Sequence, residues 1–246
     1  MTLDDLLTEH GAASWDKQMC LMEMTDENRW NLDTKRGELS FGSRLTFPVQ
    51  FLGTEAEDAQ TWLWAWANEA SRLPPALVTA SRQLEEFGRQ NGVAALSDPE
   101  SSLEDVNGHL LSLIASGLCG ADAYYRGPYD GGALFLLLSA PEARQQDDPA
   151  TTAFVRNFLG FTSTYSCEHR PALAAYARYK AYTCTDQPDG SLLCVSPSGD
   201  PATATFDERG VVTQLRAKIS PQSTEANAEA KPEPAATKKP WWKLGR

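Results

Sequence analysis

Residues 61–68 form the most distinctive strand that the sequence predicts, because successive apolar side chains would point to opposite faces and make both faces apolar. Trp62, Trp64 and Trp66 stand at every second position, so on a strand all three share one face. The intervening positions make the opposite face apolar as well: Leu63, Ala65 and Ala67. A strand with two apolar faces is typical of the middle of a covered sheet. Since one Trp side chain can bury roughly 150–250 Å², we expect this strand to form a large part of the core.

The hydrophobic pattern before this strand predicts one helix and three strands. Apolar residues at steps of three and four predict a helix over residues 2–25, which Gly11 is expected to divide or loosen. A period of two predicts a hairpin of residues 30–32 with 38–42. The same period predicts a strand over residues 45–51, where Pro48 indicates an edge or a bulge. Residues 53–60 are polar and acidic, and we expect them to be a connection.

After the Trp-rich strand the pattern predicts two helices and a second hairpin. The first helix should run from Pro74 or Pro75 to about Gly92. The second should begin near Ser101, because Ser101-x-x-Glu104 has the spacing of a capping box. His109 lies inside that helix, where we expect a core or partly exposed imidazole rather than a ligand. Residues 121–126 and 133–139 should form the hairpin.

The pattern of residues 145–219 predicts two helices followed by a β-meander. Asp148 is expected to cap the first helix, and the second should cover residues 170–180. Residues 181–185 and 191–196 should pair so that Cys184 faces Cys194 across a three-residue loop ending at Gly190. We expect that pair to be reduced. In a last hairpin, with strands near 202–206 and 211–219, alternate residues from Val211 to Ile219 should face inward.

These elements together predict an α+β fold, with an antiparallel sheet packed by helices. We expect an N-terminal α+β domain over residues 1–140 and a C-terminal helix–helix–meander region over residues 145–219. The meander could extend the first sheet or form a second lobe. From residue 220 onward the composition shifts to Ala, Pro, Glu, Lys and Thr without periodicity, which predicts a disordered tail over residues 220–246.

Charge narrows the classes of partner. The net charge of −11 argues against nucleic-acid binding, because phosphate contacts need clustered Lys and Arg. Setting aside the five basic and three acidic residues after Lys218 leaves 17 basic and 30 acidic residues, a net charge of −13. Such an acidic body could attract a basic protein partner. It could equally be the ordinary surface of a soluble bacterial-type protein.

Targeting and cysteine patterns favour a cytoplasmic protein. The first ten residues are acidic where a secretory signal needs positive charge. The apolar run over residues 133–138 is too short to span a bilayer. The five cysteines are scattered and odd in number, and they form no Cys-x-x-Cys pair. Neither a disulfide framework nor a structural zinc site is indicated.

Recognisable catalytic chemistry is missing from the sequence. There is no phosphate-binding loop, dinucleotide fingerprint, zinc-protease motif or nucleophile elbow, and three histidines are too few for a His-rich metal site. We therefore expect no catalytic residues, no metal and no cofactor. Cys167-Glu168-His169 places a thiol beside an imidazole, but a nucleophilic pair usually meets across the fold with a third, orienting group. The start of a helix or a loop explains it as well.

Two motifs carry a resemblance to a family. The Trp-x-Trp-Ala-Trp-Ala-Asn strand ending at Asn68 is followed by Gly-Ala-Asp-x-x-Tyr-Arg-Gly-Pro over residues 120–128. Within residues 10–140, this combination resembles an uncharacterised family of bacterial proteins known only as a domain of unknown function. The resemblance implies no established activity, cofactor or catalytic residue.

Two groups of residues are candidates for binding. The first could line a groove in which Trp rings stack a flat ligand or a peptide while Arg126 holds an anionic group: Trp62, Trp64, Trp66, Tyr124, Tyr125 and Arg126. Alternatively the tryptophans fill the core and Arg126 pairs with Asp122. The second group lies in the tail and could dock on a partner, touch an anionic membrane weakly, or fold back on the domain: Trp241, Trp242, Lys243 and Leu244.

The favoured function is therefore a non-enzymatic cytoplasmic binding or interaction protein, with an acidic surface that suits a basic partner. The alternative is a small-molecule-binding domain, or an enzyme, whose site lies beside the Trp-rich strand.

Overall fold

A computed structural model of the chain describes residues 1–25, 29–143 and 151–218. The helices within these ranges are α1 (Leu3–Thr25), α2 (Thr79–Asn91), α3 (Ala94–Ser97), α4 (Gly108–Leu118), α5 (Thr152–Thr164) and α6 (His169–Tyr179). The first seven strands are β1 (Trp30–Asp33), β2 (Glu38–Phe41), β3 (Leu45–Ala56), β4 (Thr61–Trp64), β5 (Glu100–Ser102), β6 (Ala123–Tyr129) and β7 (Gly132–Leu138). The last four are β8 (Thr183–Asp186), β9 (Leu192–Val195), β10 (Pro201–Phe206) and β11 (Val212–Ala217). The predicted α+β fold is confirmed.

Strand β3 organises a seven-stranded antiparallel sheet. Its residues 45–48 pair with β2, its residues 53–56 pair with β4, and β7 pairs along residues 49–56. The strand is longer than the sequence predicts, because neighbours on both sides hold the polar residues that were expected to form a connection. The chain turns only at residues 57–60, where Gln60 has a φ of 53°. Pro48 lies where β3 pairs with β2 alone, in agreement with the edge predicted there, and the bulge falls between Phe51 and Gly53.

Strand β4 lies between β3 and β5, so the prediction of an interior strand is right for its first half. Trp62 and Trp64 share one face, and both are completely buried. The strand ends at Trp64, however, and residues 65–67 form a turn. The predicted eight-residue strand is therefore wrong for its second half. Trp66 is half-buried after this turn and still packs against the same core cluster.

Two helix predictions are wrong in instructive ways. Helix α1 is continuous through Gly11. The absence of a side chain at this position makes room for a ring, since a Cβ there would lie 2.5 Å from an atom of Phe161. The predicted helix start at Ser101 is strand β5, which pairs with β4. Helix α4 begins at Gly108, and Asn107 caps it by accepting the Leu110 N–H at 2.8 Å.

The C-terminal region forms a second sheet rather than extending the first. Its four antiparallel strands follow the order β11-β10-β9-β8, and Cys184 lies directly opposite Cys194 as predicted. A register shift between Thr205 and Phe206 alters the expected inward face at the start of the last strand, whereas Leu215 is buried as predicted. Val212, rather than Val211, packs against the core, whereas Val211 is exposed. Asp148, Ile219 and the tail lie outside the described residues.

Helix α1 is bound to the C-terminal helices α5 and α6 through a buried carboxylate. Asp16 is buried, and its Oδ1 accepts hydrogen bonds from Asn157 Nδ2 at 2.5 Å and from the Tyr176 hydroxyl at 2.8 Å. Lys180 Nζ lies 3.4 Å from its Oδ2. One hydrophobic cluster contains residues of α1, of β4 and of β9 and β10. The division of the chain into separate domains stays a prediction, since the core is shared.

Candidate functional site

A groove of about 270 Å³ lies beside the Trp-rich strand, on the face of the first sheet opposite Trp62 and Trp64. Strand β3 contributes Phe51, Gly53 and Thr54 to it, and Leu134 of β7 adds an apolar wall. The remaining lining residues come from the segment after β4 and from the end of β6: Ala65, Asn68, Ser71, Leu73 and Tyr129. The groove thus lies where both sequence motifs end.

The turn after Trp64 builds one wall of this groove. The Ala65 N–H donates to the Leu52 carbonyl at 2.9 Å, so the chain stays against β3 as it leaves the strand. Asn68 then caps a short 3₁₀ turn (Glu69–Ser71), because its side chain accepts the Ser71 N–H at 3.2 Å. Arg72 follows with a φ of 45°, which redirects the chain toward Leu73. Leu73 closes the wall as a half-buried residue.

The opposite face of the sheet is filled by aromatic rings. Trp64 and Trp62 meet edge to face at 5.2 Å between centroids, and Trp62 meets Phe135 at 5.4 Å. Trp64 Nε1 donates to the Ala95 carbonyl at 3.0 Å. Both Trp rings are completely buried. In this structure they pack the core, so ligand contact through them stays a prediction that would require the core to open.

Tyr124 and Arg126 lie on the same face as these rings, in a cluster around the start of α4. Glu55 Oε1 accepts the Gly108 N–H at 2.6 Å, and its Oε2 lies 4.0 Å from Arg126 Nε. His109 Nδ1 and the Tyr124 hydroxyl lie 3.1 Å apart. The ion pair of Arg126 is thus with Glu55. The predicted pairing with Asp122 is wrong in that respect, since Asp122 accepts the Ala140 N–H at 2.8 Å.

Burial dominates the titration of this cluster. It lowers the pKa of His109 to about 3, and the charge of Arg126 adds to this effect. It also raises the pKa of Tyr124 well above the usual value of a tyrosine. A general base works best when its pKa lies near the operating pH, so a neutral His109 suits packing and hydrogen bonding. The expectation of a core imidazole agrees with this geometry.

Tyr125 and Trp66, the other two predicted ligand residues, lie apart from each other. Tyr125 faces the opposite side of the sheet, where its ring meets Phe41 at 4.9 Å and Trp30 at 5.7 Å between centroids. Burial raises its pKa to about 12. Trp66 Nε1 is buried and has no hydrogen-bond partner within the described ranges. The structure therefore separates the six predicted residues: Trp62, Trp64, Tyr124 and Arg126 share one face of the sheet, Tyr125 lies on the other, and Trp66 lies in the turn after β4.

The Cys167–His169 pair shows no sign of activation. Burial raises the pKa of the Cys167 thiol to about 11, with Asp4 and Glu168 adding to it. His169 Nδ1 accepts the Val212 N–H at 3.2 Å, so this imidazole nitrogen holds β11 in place. A nucleophilic thiol needs a lowered pKa and a free base beside it. The start of α6 is the better explanation of this tripeptide.

A larger cleft, of about 480 Å³, lies between α1, the end of α4 and α6. The cationic side chains that line it, Lys17 and Arg178, already bind other groups of the protein. Lys17 Nζ donates to the Ala121 carbonyl at 2.6 Å and to the Ser116 carbonyl at 3.3 Å, which completes the end of α4. Arg178 pairs with Glu9 at 2.7 Å on the rim. This cleft is therefore a weaker candidate for a ligand than the smaller groove.

Sequence reasoning missed the residues that line the groove. Gly53 and Thr54 fell in a stretch expected to be a connection, and Asn68 fell at the end of a predicted strand. The signal that could have located the groove is the pair of residues Asn68 and Ser71, whose spacing suits a side-chain cap.

No group of three or more His, Cys, Asp or Glu residues suited to a metal occurs within the described ranges. In the same ranges, no helix is long and apolar enough to cross a bilayer.

Comparison with known proteins places the groove within a recognised family region. A model of a family of unknown function (DUF6882) matches residues 4–141, from α1 to the end of the first sheet. This match confirms the prediction of an uncharacterised family, while a bacterial source stays a prediction. No curated protein and no solved structure matches the chain.

Proposed function

The chain belongs to this family of unknown function, and from the groove we propose that it is a non-enzymatic binding protein that holds a small, neutral, mostly apolar ligand beside the Trp-rich strand. The carrying observation is the chemistry of the groove walls. They combine apolar side chains with hydrogen-bonding groups from Thr54, Asn68, Ser71 and Tyr129, and none of the described lining residues carries a charge.

Size and polarity define the class of ligand. A volume of about 270 Å³ is at or below the small end of ligand pockets, which typically span roughly 300–1,000 Å³. Burying an ionised group without a partner of opposite charge is costly, and the walls offer no such partner. We therefore expect a ligand with a compact aromatic or aliphatic body and one amide or hydroxyl group.

The titratable groups near the groove support binding rather than catalysis. His109 is held neutral by burial, and Arg126 is occupied by Glu55 on the opposite face of the sheet. In this proposal Trp62, Trp64, Trp66, Tyr124, Tyr125 and Arg126 support the groove from behind or beside it. Direct contact falls to Phe51, Thr54, Asn68, Leu73, Tyr129 and Leu134.

A thermal-shift screen of small neutral amides and alcohols tests this proposal. Ligands of the native state should raise the melting temperature of the full chain. Thr54→Leu fills the groove and should abolish the response. Thr46→Leu makes the same change at an exposed position on the same strand and should preserve it. Equal responses in both variants would contradict the groove, and a response only to anionic compounds would contradict the ligand class.

A second candidate function, binding of a basic protein partner, is favoured by the charge of the chain. The net charge of −11 would speed encounter with such a partner through electrostatic steering. Trp241, Trp242, Lys243 and Leu244 would supply the docking segment or a weak contact with an anionic membrane. A cytoplasmic location belongs to this proposal as well.

Pull-down from native lysate separates the two functions. If the tail docks on a partner, the full chain should retain a stoichiometric basic protein and a chain ending at Lys218 should lose it. Trp241→Ala with Trp242→Ala is the matched variant, because it leaves the tail charges in place. Retention of the partner by all three forms would contradict a role for the tail, and absence of any basic partner would leave the groove as the function.

A further inference from the structure

Two cysteines face each other in the C-terminal sheet. Cys184 of β8 and Cys194 of β9 are directly opposed in the antiparallel register. Their Sγ atoms lie 2.8 Å apart, and both are free thiols. Strand β8 is at the edge of its sheet. Cys184 is only partly buried there, whereas Cys194 is completely buried in the shared core.

The backbone already meets the requirements of a disulfide. Directly opposed residues of antiparallel strands have Cα atoms roughly 4.5–5.5 Å apart, within the range of about 4.4–6.8 Å that a disulfide needs. The two sulfur atoms would need to approach by less than about 1 Å to reach bonding distance. Small side-chain rotations provide such a movement, so the strands can keep their register.

We propose that Cys184 and Cys194 are a redox modification site, at which a hydroperoxide converts the two thiols into a reversible intramolecular disulfide. The Cys184 thiolate attacks one peroxide oxygen, the O–O bond breaks, and Cys184 becomes a sulfenic acid. Cys194 then attacks the Cys184 sulfur, the S–O bond breaks, and water leaves. With hydrogen peroxide, two thiols lose two electrons and two protons in total, and two water molecules form.

The surroundings of the two sulfurs divide these roles between them. The hydrogen bond from Cys194 lowers the pKa of Cys184, and the same contact raises the pKa of Cys194. Burial raises the pKa of both Cys119 and Cys167 to about 11. The thiolate is the reactive form of cysteine, so Cys184 should react before Cys119 and Cys167. Cys194, held against it, is positioned to complete the disulfide.

Tryptic mass spectrometry of the full chain tests the proposal directly. Residues 181–209 form one tryptic peptide that carries Cys184 and Cys194 and no other cysteine. After treatment of the reduced protein with equimolar hydrogen peroxide, this peptide should become lighter by two hydrogen atoms, about 2 Da, and dithiothreitol should restore its mass. The peptides that contain Cys119 and Cys167 should remain thiols. The melting temperature of the oxidised form should rise by about 5 °C, since the cross-link constrains the unfolded chain.

Two variants separate the steps. Cys194→Ser should accumulate a sulfenic acid at Cys184, which dimedone traps, and Cys184→Ser should leave Cys194 unreacted at the same peroxide concentration. The wild-type mass measurement keeps the proposal falsifiable even if a variant folds poorly. An unchanged peptide mass, a disulfide to Cys119 or Cys167, or oxidation of those two cysteines at the same rate would overturn the proposal.

Discussion

The two faces of the seven-stranded sheet differ in what covers them. On one face Leu52, Trp62, Trp64, Phe135 and Leu137 are completely or almost completely buried, in the cluster that also contains residues of α1, α4 and α5. On the other face, the part of the sheet around the groove stays partly open. There Thr54 and Leu134 are half-buried, and the side chain of Tyr129 is exposed.

The difference in covering suggests separate roles for the two faces: one packs the core, and the other carries the proposed binding groove. Trp62 and Trp64, from the most distinctive sequence pattern, fill the sealed face, where they have no access to a ligand in this structure. The groove is built on the open face from the end of that motif, Ala65 and Asn68, and from residues outside both motifs, such as Thr54 and Leu73. The aromatic pattern therefore indicates where the core lies, and the proposed binding surface is on the other side of the same strands.

The largest expected effect is on stability, from a substitution on the sealed face. Trp64→Ala should lower the free energy of unfolding by about 3–5 kcal/mol, because it removes a buried ring and the hydrogen bond to Ala95. Leu73→Ala, in the groove wall, should cost about 1 kcal/mol, since that residue is only half-buried. Urea unfolding of both variants measures the contrast. Similar losses would mean that the two faces are packed alike.

An intermediate effect concerns the pH dependence of the sealed face. The pKa of His109 is lowered to about 3 in the folded chain, whereas an unfolded histidine titrates near 6.5. Between these values the unfolded chain binds a proton that the folded chain does not, so stability falls as the pH falls. From pH 7 to pH 5 the wild type should lose about 2 kcal/mol more than His109→Gln.

The control for this pH effect is His169→Gln, a change at a less buried imidazole. Burial also lowers the pKa of His169, but less than that of His109, so this variant should keep most of the steep wild-type profile of unfolding free energy against pH. Urea unfolding at pH 5, 6 and 7 provides the measurement. Parallel profiles for the wild type and His109→Gln would show that His109 is accessible to protons in the folded chain, which would contradict a sealed face.

The smallest expected effect lies at the groove. Asn68→Ala removes the side-chain cap of the turn that ends at Ser71, and should cost about 1 kcal/mol. Asn31→Ala changes the same residue type at an exposed position of β1 and should alter stability by less than about 0.5 kcal/mol. Equal melting temperatures for the two variants would indicate that the cap does not hold the groove wall.

Sequence patterns predicted the elements whose signals are local. The period of two located the β1–β2 hairpin and the first half of β4, and turn residues placed Cys184 opposite Cys194. Periodicity did not reveal that β3 continues through Thr54 and Glu55, because their strand conformation depends on pairing with β4 and β7. Ser101 has capping-box spacing, yet pairing with β4 prevails over that local preference.

The candidate site was less predictable for the same reason. Alternation placed Trp66 with the other tryptophans, but the chain turns after Trp64, where the Ala67 N–H donates to the Trp64 carbonyl at 3.1 Å and the Ala65 N–H donates to the Leu52 carbonyl at 2.9 Å. The partner of Arg126 is Glu55, 71 positions earlier in the sequence. No spacing rule relates two residues that meet across non-adjacent strands, so Glu55 could be identified as the partner only from the folded sheet.

The most direct test of the groove is an amide NMR titration of the full chain with a mixture of small neutral fragments, such as benzamide and cyclohexanol. If the ligand binds in the groove, shift changes should gather at residues 51–54, 65–73 and 129–134. They should disappear in Thr54→Leu and persist in Thr46→Leu. Shift changes that gather instead around Lys17 and Arg178, or that survive in Thr54→Leu, would contradict binding in the groove.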